Sequence, residues 1–338
     1  MAKSKCSLTV NGQTVRANVG DTLLDAALGG RIVLPHDCCS GQCETCRVRV
    51  LSGEVDDLGT REKDTVLGCL ATLKGDAEIA FDPVPVVRNT PGEVESITRM
   101  AENFLEVRIR PTRRIPWLPG QYLRLTFKGR PPRDYSPTFP LDLDADEDVV
   151  VFHVKVYPGG RVSSALGNEI GVGHRVVMKG PYGSGFLRRQ EGRLVLVSTG
   201  TGFAPLWSIA VAAKMGQSHR PIEMIAGARS VDELYMQHAV RWLRARGANV
   251  TLTAGGGDGY FVQRMRPAEL LPALDPTDIV YAAGAPSQVD AVRKVALAAD
   301  ATFYADPFYA ADPKVTLAEW VLAPFRDRLF DSRIAASL

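Results

Sequence analysis

The stretch Asp37-Cys38-Cys39-Ser40-Gly41-Gln42-Cys43-Glu44-Thr45-Cys46 constrains this chain more than any other. Cys38, Cys43 and Cys46 stand in the spacing C-x4-C-x2-C, and a further cysteine, Cys69, follows in Leu67-Gly68-Cys69-Leu70. Three cysteines in one short loop and a fourth downstream make the ligand pattern of a [2Fe–2S] cluster. Each iron of such a pair is tetrahedral and shares two bridging sulfides, so each needs two more soft ligands. Ser40-Gly41-Gln42 offers unhindered backbone for wrapping an inorganic core, with free amides that donate to its sulfurs. Zinc sites favour paired C-x2-C spacings instead, and nothing signals the secretion route on which disulfides form. Cys6 and Cys39 fall outside the pattern and read as ordinary cysteines.

With 338 residues, 45% of them hydrophobic and 23% charged, the chain has apolar material for several cores and a length suited to about two to three domains. A net charge of +2 without any Lys/Arg-rich block argues against a nucleic-acid partner. No apolar run follows the charged N-terminus, and nowhere do about eighteen apolar residues stand together. No signal peptide and no membrane partner is expected, and the compartment reads as reducing and cytoplasmic.

Residues 6–10 and 13–17 alternate as two strands around Asn11-Gly12, a two-residue hairpin turn. Residues 21–28 carry apolar positions at helical spacing and end at Gly29-Gly30. After the cysteine loop, residues 47–51 read as a strand and Ser52-Gly53 as a turn. Over about residues 5–85 the chain therefore resembles plant-type [2Fe–2S] ferredoxins of the β-grasp fold, with a shorter run between Cys46 and Cys69 than free plant ferredoxins have. Metal ligands Cys38, Cys43, Cys46 and Cys69 are what that resemblance and the spacing both imply. A proline-rich, aperiodic stretch at 81–92 marks a boundary, so 1–86 is expected as the first domain and 87–92 as a linker.

Strand-like runs at 92–97, 104–109, 121–127 and 149–156 among Pro/Gly turns predict an antiparallel β-barrel over 93–190. From residue 194 strands alternate with helix-like segments (204–214, 232–246 and 287–299), predicting a parallel α/β domain over 191–310. The remaining 311–338 reads as a helical extension, with Thr316-Leu317-Ala318-Glu319 as a capping box ahead of a broken apolar stripe. The fold class expected is thus multidomain α+β and α/β.

Arg133-Asp134-Tyr135-Ser136 matches the R-x-Y-S motif of the ferredoxin reductase family. A guanidinium fork suits a phosphate, an aromatic face suits a flavin ring, and a small hydroxyl reaches a ring nitrogen. The segment 157–164 resembles that family's second flavin stretch, where amides and a hydroxyl at a helix start hold a phosphate, and Gly180-Pro181-Tyr182-Gly183 resembles its third. The resemblance implies FAD held by Arg133, Tyr135, Ser136, Val154, Gly160, Val162 and Ser163.

Thr199-Gly200-Thr201-Gly202-Phe203-Ala204-Pro205 ends an apolar strand, and its glycines let backbone approach a pyrophosphate. The third glycine of the dinucleotide fingerprint is missing; the run instead resembles G-T-G-x-A-P of the same reductases, which implies a nicotinamide coenzyme on Gly200, Thr201, Gly202 and Pro205. Gly227-Ala228-Arg229-Ser230, ahead of Asp232 and Glu233, lies where coenzymes are told apart. Arg229 and Ser230 suit NADPH, whereas the resembling reductases imply NADH, which is the expectation. Gly284 falls in a segment similar to the family's C-G-x-P, with Ala283 where a cysteine is common. In 303–309, similar to the ending of aromatic-dioxygenase reductases, Phe308 and then Tyr309 are the rings implied to stack on the flavin. Tyr304 reads equally as a core anchor.

As a whole, residues 5–310 resemble the reductase components of bacterial ring-hydroxylating dioxygenases of the naphthalene and benzoate type. A nicotinamide yields two electrons as one hydride and a [2Fe–2S] cluster takes one at a time, so a flavin must stand between. The acceptor implied is a terminal oxygenase or an intermediary ferredoxin, and no acid–base residue is nominated. The acidic Asp37 and Glu44 beside the cysteines predict a basic rim on that acceptor. A reductase for a cytochrome P450 or di-iron monooxygenase, a stand-alone diaphorase, and an iron–sulfur redox-sensing binding module remain alternatives. Monomer and homo-oligomer are both open.

Overall fold

A computed structural model describes residues 4–144, 146–256 and 262–309; the expected extension at 311–338 lies outside these. The expected hairpin forms from β1 (Lys5–Val10) and β2 (Gln13–Asn18), with Asn11 and Gly12 both at positive φ. Helix α1 (Leu23–Gly29) follows, its first turn closed by Thr22, whose hydroxyl accepts from the Asp25 amide at 3.0 Å. Strands β3 (Arg47–Asp56), β4 (Thr65–Leu67) and β5 (Thr72–Ala80) complete a mixed sheet in the order β2-β1-β5-β3-β4. The turn expected at Ser52-Gly53 is instead a pair of bulges within β3. Gly53 has φ +84° there, and a Cβ on it would come within 2.2 Å of the Asp76 carbonyl, so only glycine fits the bend.

The second sheet is wholly antiparallel. It comprises β6 (Arg88–Ala101), β7 (Phe104–Pro111), β8 (Tyr122–Phe127), β9 (Arg133–Tyr135), β10 (Pro137–Thr138), β11 (Val150–Lys155) and β12 (Arg175–Tyr182) in the order β10-β11-β7-β6-β12-β8-β9. Its two edges, β9 and β10, are consecutive in the chain with only Ser136 between them, so the sheet curls nearly shut at that residue. Residues 88–92, expected as linker, belong to β6 and pair with β12, Pro91 opposite Val177. Three prolines suppress helix but do not forbid an extended strand.

The third sheet is wholly parallel. It runs through β13 (Leu194–Thr199), helix α2 (Phe203–Gly216), β14 (Ile222–Ala228), α3 (Gln237–Arg244), β15 (Asn249–Ala254), β16 (Val262–Gln263), β17 (Ile279–Gly284), α4 (Pro286–Ala298) and β18 (Thr302–Pro307), in the order β16-β15-β14-β13-β17-β18. Helix α3 is shorter than the expected 232–246 because the chain first makes a 3-10 turn at Val231–Glu233 and stops ahead of Gly247, at φ +72°. The strand order reverses between β13 and β17, which opens a crevice at their carboxyl ends.

Helix α2 is apolar on all sides because it is covered on all sides. One face lies on the parallel sheet, and the other meets the barrel: Trp207, fully buried, donates its indole N–H to the Phe139 carbonyl at 3.1 Å, and Thr138 donates its hydroxyl to the Ala204 carbonyl at 2.7 Å. No helix among the described residues is long and apolar enough to cross a membrane.

Candidate electron-transfer site

Packing of α1 against β2 delivers the cysteine loop: a Cβ on Gly30 would fall 2.2 Å from Val15 Cγ1, so the chain turns only with glycine there. Within the loop Cys39, Gly41 and Glu44 all adopt positive φ, which turns successive amides inward. Ser40 and Cys43 donate their amides to Cys38 Sγ at 3.4 and 3.3 Å, and Cys38 donates its own to Cys43 Sγ at 3.4 Å. The thiols of Cys38 and Cys43 are hydrogen-bonded neighbours, as are those of Cys46 and Cys69. In each pair the thiol-to-thiol hydrogen bond pulls one member down, Cys38 to about 4 and Cys69 to about 7, and pushes its partner up. Among the described residues no three His, Cys, Asp or Glu side chains converge as on a single ion. Two pairs of thiols are instead the arrangement that would give each iron of a binuclear centre two protein ligands. Cys39 is exposed and turns its thiol to the Asp37 carbonyl; Cys6 lies in β1.

The flavin-like motif sits at the barrel's closing point. Arg133 donates to the Pro132 carbonyl at 2.7 Å, and its guanidinium is held below its usual range by desolvation and then by the charge of Arg161. A guanidinium that feels a second cation, Arg161, fits an anionic group such as a pyrophosphate. The Tyr135 ring packs edge-on to Phe152 at 6.4 Å, and burial pushes its hydroxyl well above the usual phenol range. Ser136 is buried in the gap between β9 and β10. Val154 and Val162 bury their side chains in the barrel core, which leaves only main-chain groups for a cofactor. Residues 157–165 form successive turns rather than the expected helix start; Ser163 Oγ accepts from the Tyr157 amide at 3.1 Å, and a Cβ on Gly160 would lie 2.5 Å from that hydroxyl. Gly160 therefore keeps room for the Ser163 staple.

At the crevice of the parallel sheet, Gly200, Thr201 and Gly202 form a 3-10 turn between β13 and α2, and Pro205 lies in the helix's first turn. The two glycines do different work. Gly200, at φ +55°, has open space around it, whereas a Cβ on Gly202 would fall 2.2 Å from the Ala283 carbonyl. Gly284, at φ +118°, is pressed against Thr199, whose hydroxyl accepts from the Ala285 amide at 2.8 Å. At the end of β14, Arg229 is exposed and Ser230 half-buried. Glu233 receives Lys155 from the barrel at 2.6 Å, and Asp232 stays exposed.

β18, at the sheet edge beside β17, carries the third group of residues. Tyr304 packs on Tyr281 at 5.0 Å and covers Arg188 at 3.9 Å, which makes it an anchor. Phe308 donates its amide to the Gly284 carbonyl at 2.7 Å and is half-buried, while Tyr309 is exposed. Asp306 was not singled out in the sequence. Its carboxyl takes a hydrogen bond from Ser136, yet its Oδ2 is shut from solvent without a partner. Desolvation, then the charges of Asp134 and Glu44, pushes it up to about 7. An acid two positions before Phe308, in the middle of an aromatic run, was the available signal. An orphaned carboxyl oxygen beside Ser136 and the charges of Arg133 and Arg161 fit a polar ring system with a phosphate tail.

The acidic flank expected to greet an acceptor faces inward instead. Asp37 is held by Arg124 and Tyr122, both at 2.8 Å, and Glu44 by Arg47 at 3.2 Å and by Arg293. All of these partners but Arg47 lie far off in sequence, so the pattern around the cysteines could not reveal them.

Three family descriptions match in succession: a 2Fe-2S iron–sulfur cluster binding domain over residues 8–74, an oxidoreductase FAD-binding domain over 92–186 and an oxidoreductase NAD-binding domain over 196–294. The chain is 32% identical over 307 residues to the ferredoxin–NAD(P)+ reductase component of the naphthalene 1,2-dioxygenase/salicylate 5-hydroxylase systems of Ralstonia sp, covering 82% of this chain and 90% of that one. It is 30% identical over 325 residues to the corresponding component of the Pseudomonas putida naphthalene 1,2-dioxygenase system, covering 88% and 97%. Among solved structures, an Amycolatopsis cytochrome P450 reductase superposes with a TM-score of 0.65 at 26% identity, over 90% of this chain and 98% of that one. The chain belongs to the ferredoxin–NAD(P)+ reductase components, oxidoreductases that pass electrons from NAD(P)H through FAD to a [2Fe–2S] cluster.

Proposed function

We propose that this chain reduces a Rieske-type aromatic dioxygenase, or the ferredoxin serving one, with NADH as its coenzyme. One observation carries the internal route: the barrel's flavin stretches touch both neighbours at once. Gly183 donates its amide to Thr45 Oγ1 of the cysteine loop at 3.2 Å, and Ser136 bonds Asp306 of the parallel sheet.

In this reading Cys38 and Cys43 hold one iron and Cys46 and Cys69 the other. Arg133 and Arg161 neutralise the FAD pyrophosphate, Tyr135 stacks, Ser136 hydrogen-bonds the ring, and the main chain at Val154, Gly160, Val162 and Ser163 shapes the cradle. The turn at Gly200, Thr201 and Gly202, with Pro205 in the helix behind it, takes the coenzyme phosphates. Gly284 leaves room for the nicotinamide, and Phe308, then Tyr309, covers the flavin until the nicotinamide arrives. Arg229 and Ser230 face the adenosine end; the exposed Asp232 beside them supports a free ribose and hence NADH. Asp306 and Ser136 shut water from the ring edge and hold a proton there. When bound, the flavin supplies the exchange of one hydride for two single electrons, and the cluster takes those electrons singly.

The Ralstonia and Pseudomonas relatives, whose printed names are those of dioxygenase systems, support this acceptor. A cytochrome P450 acceptor is the second reading, favoured by the likeness to the Amycolatopsis reductase. Steady-state assays with a Rieske oxygenase and with a P450, each under NADH and NADPH, separate the two. The proposal predicts turnover of the Rieske partner with NADH and its loss in Cys46→Ser, while NADH still bleaches the flavin; reduction of the P450 alone overturns it.

A further inference from the structure

Strand β8 buries Leu123 and Leu125 in the barrel and therefore turns Arg124 outward, toward the cysteine loop. Its guanidinium makes four hydrogen bonds to two carboxylates. Nε and Nη2 donate to the two oxygens of Asp134 at 2.8 and 3.1 Å, and Nη1 and Nη2 donate to the two oxygens of Asp37 at 3.0 and 2.8 Å. Asp134 is the second residue of Arg133-Asp134-Tyr135-Ser136 and stands directly opposite Arg124 in the β8–β9 ladder. Asp37 immediately precedes Cys38, and its side chain is only 6% exposed. Tyr122, two positions back on the same face of β8, adds its hydroxyl to Asp37 at 2.8 Å and approaches Thr45 Oγ1 at 3.4 Å.

We infer that Arg124 is a positioning residue for the electron-transfer step: one guanidinium clamps the residue before the first cluster ligand to the middle of the flavin tetrapeptide, and so sets the separation of the two redox centres. This rests on the cofactor placement proposed above. The fork is what the arrangement requires. A planar group with donors on three nitrogens can grip two carboxylates along two edges, whereas an ammonium is a point charge that cannot hold both in one plane. The charge order matters too, since Asp37 and Asp134 repel each other without the cation between them. Electron tunnelling falls off exponentially with distance, so a loop that is no longer clamped loses rate while each cofactor stays bound.

The test uses the full holoprotein, mixed anaerobically with NADH and followed by stopped flow at a flavin band and at a cluster band. In Arg124→Met, flavin bleaching is expected within about twofold of the unmodified protein, while cluster reduction is slowed by clearly more than that. Arg124→Lys, which keeps the charge without the fork, is expected to recover little of that loss. Hydrogen exchange, which is independent of turnover, should show amides of residues 37–46 opening faster in both variants while β1 and β5 are unchanged. Should Arg124→Met lose a cofactor, Arg124→Lys and Asp134→Asn carry the same comparison. Cluster reduction within about twofold of the unmodified protein in the variants that keep both chromophores, or unchanged exchange at 37–46, overturns the inference. Unmodified protein lacking either chromophore overturns the cofactor placement itself, and the inference with it.

Discussion

Two seams hold the three sheets together, and they are built from different chemistry. Between barrel and parallel sheet the contact is chiefly apolar and aromatic, with the Lys155–Glu233 pair beside it: Phe104, Phe203, Trp207 and Tyr235 share one buried cluster, and Phe139, Leu141 and Leu187 pack against it. Tyr235 stacks on Phe104 at 4.6 Å and meets His153 edge-on at 5.4 Å, and burial alone takes His153 down to about 3, so it stays neutral. Between the cysteine-bearing sheet and the rest the contact is ionic. Arg124 grips Asp37, Arg293 grips Glu44 and Glu62, Arg188 meets Asp82 at 2.6 Å and Lys63 meets Asp300 at 2.8 Å. The core of the first sheet draws, among the described residues, only on side chains between Cys6 and Phe81. An apolar seam is non-directional and insensitive to salt, whereas ion pairs fix a register and weaken as salt rises. Barrel and parallel sheet are thus joined chiefly by apolar burial, and the cysteine-bearing sheet is docked onto them chiefly by charge.

The largest effect that could break this contrast is at Trp207. Removing a fully buried indole from the apolar seam should cost about 3–5 kcal/mol, and denaturant titration should show the loss undiminished at high salt. A loss that vanishes with salt would mean that this seam is ionic too.

Asp306, where the barrel meets β18, sharpens the comparison through pH. Its folded pKa, about 7, is raised above the ordinary carboxylate value. The wild-type carboxyl therefore costs nothing below about pH 4, and stability relative to Asp306→Asn falls as pH rises to about 7 and then levels. The accumulated difference should be up to about 4 kcal/mol in favour of Asp306→Asn, read from stability curves at several pH values. A difference independent of pH would contradict the buried, partnerless oxygen.

The ionic seam should respond more weakly and in the opposite sense to salt. Arg293→Ala leaves Glu44 and Glu62 sharing Arg47 alone, at 3.2 Å from each, and should destabilise docking by about 1–2 kcal/mol at low salt. That penalty should shrink at roughly 0.5 M salt. The smallest effect is expected at Lys63, whose partner Asp300 is 75% exposed; Lys63→Ala should change stability by no more than about 0.5 kcal/mol in the same denaturation assay. A larger loss there would show that the outlying pairs matter as much as the inner ones.

The cysteine loop, the hairpin around Asn11-Gly12, the barrel and the parallel sheet were legible because each is written in local spacing or alternation. The Gly200–Gly202 turn was legible as a site, but not the division between an open Gly200 and a Gly202 crowded by the Ala283 carbonyl, since that neighbour lies on another strand. What escaped was everything made by pairing across the chain. Asp37 and Glu44 read as a solvent-facing acidic flank until their arginines appeared from β8 and α4. Asp306 read as one letter of an aromatic run until the barrel's Ser136 met it. Residues 88–92 read as a linker because prolines hide strand pairing whose partner, β12, lies much later in the chain.

The central claim is a route in which the cluster bound by Cys38, Cys43, Cys46 and Cys69 receives electrons from NADH by way of the flavin site at Arg133–Ser136. An anaerobic titration of the holoprotein with NADH, followed by absorption and then by electron paramagnetic resonance, tests it most directly. The account predicts that NADH bleaches the flavin and then yields the signal of a reduced [2Fe–2S] centre. Flavin that bleaches while the cluster remains oxidised, or protein that carries no flavin at all, would contradict it.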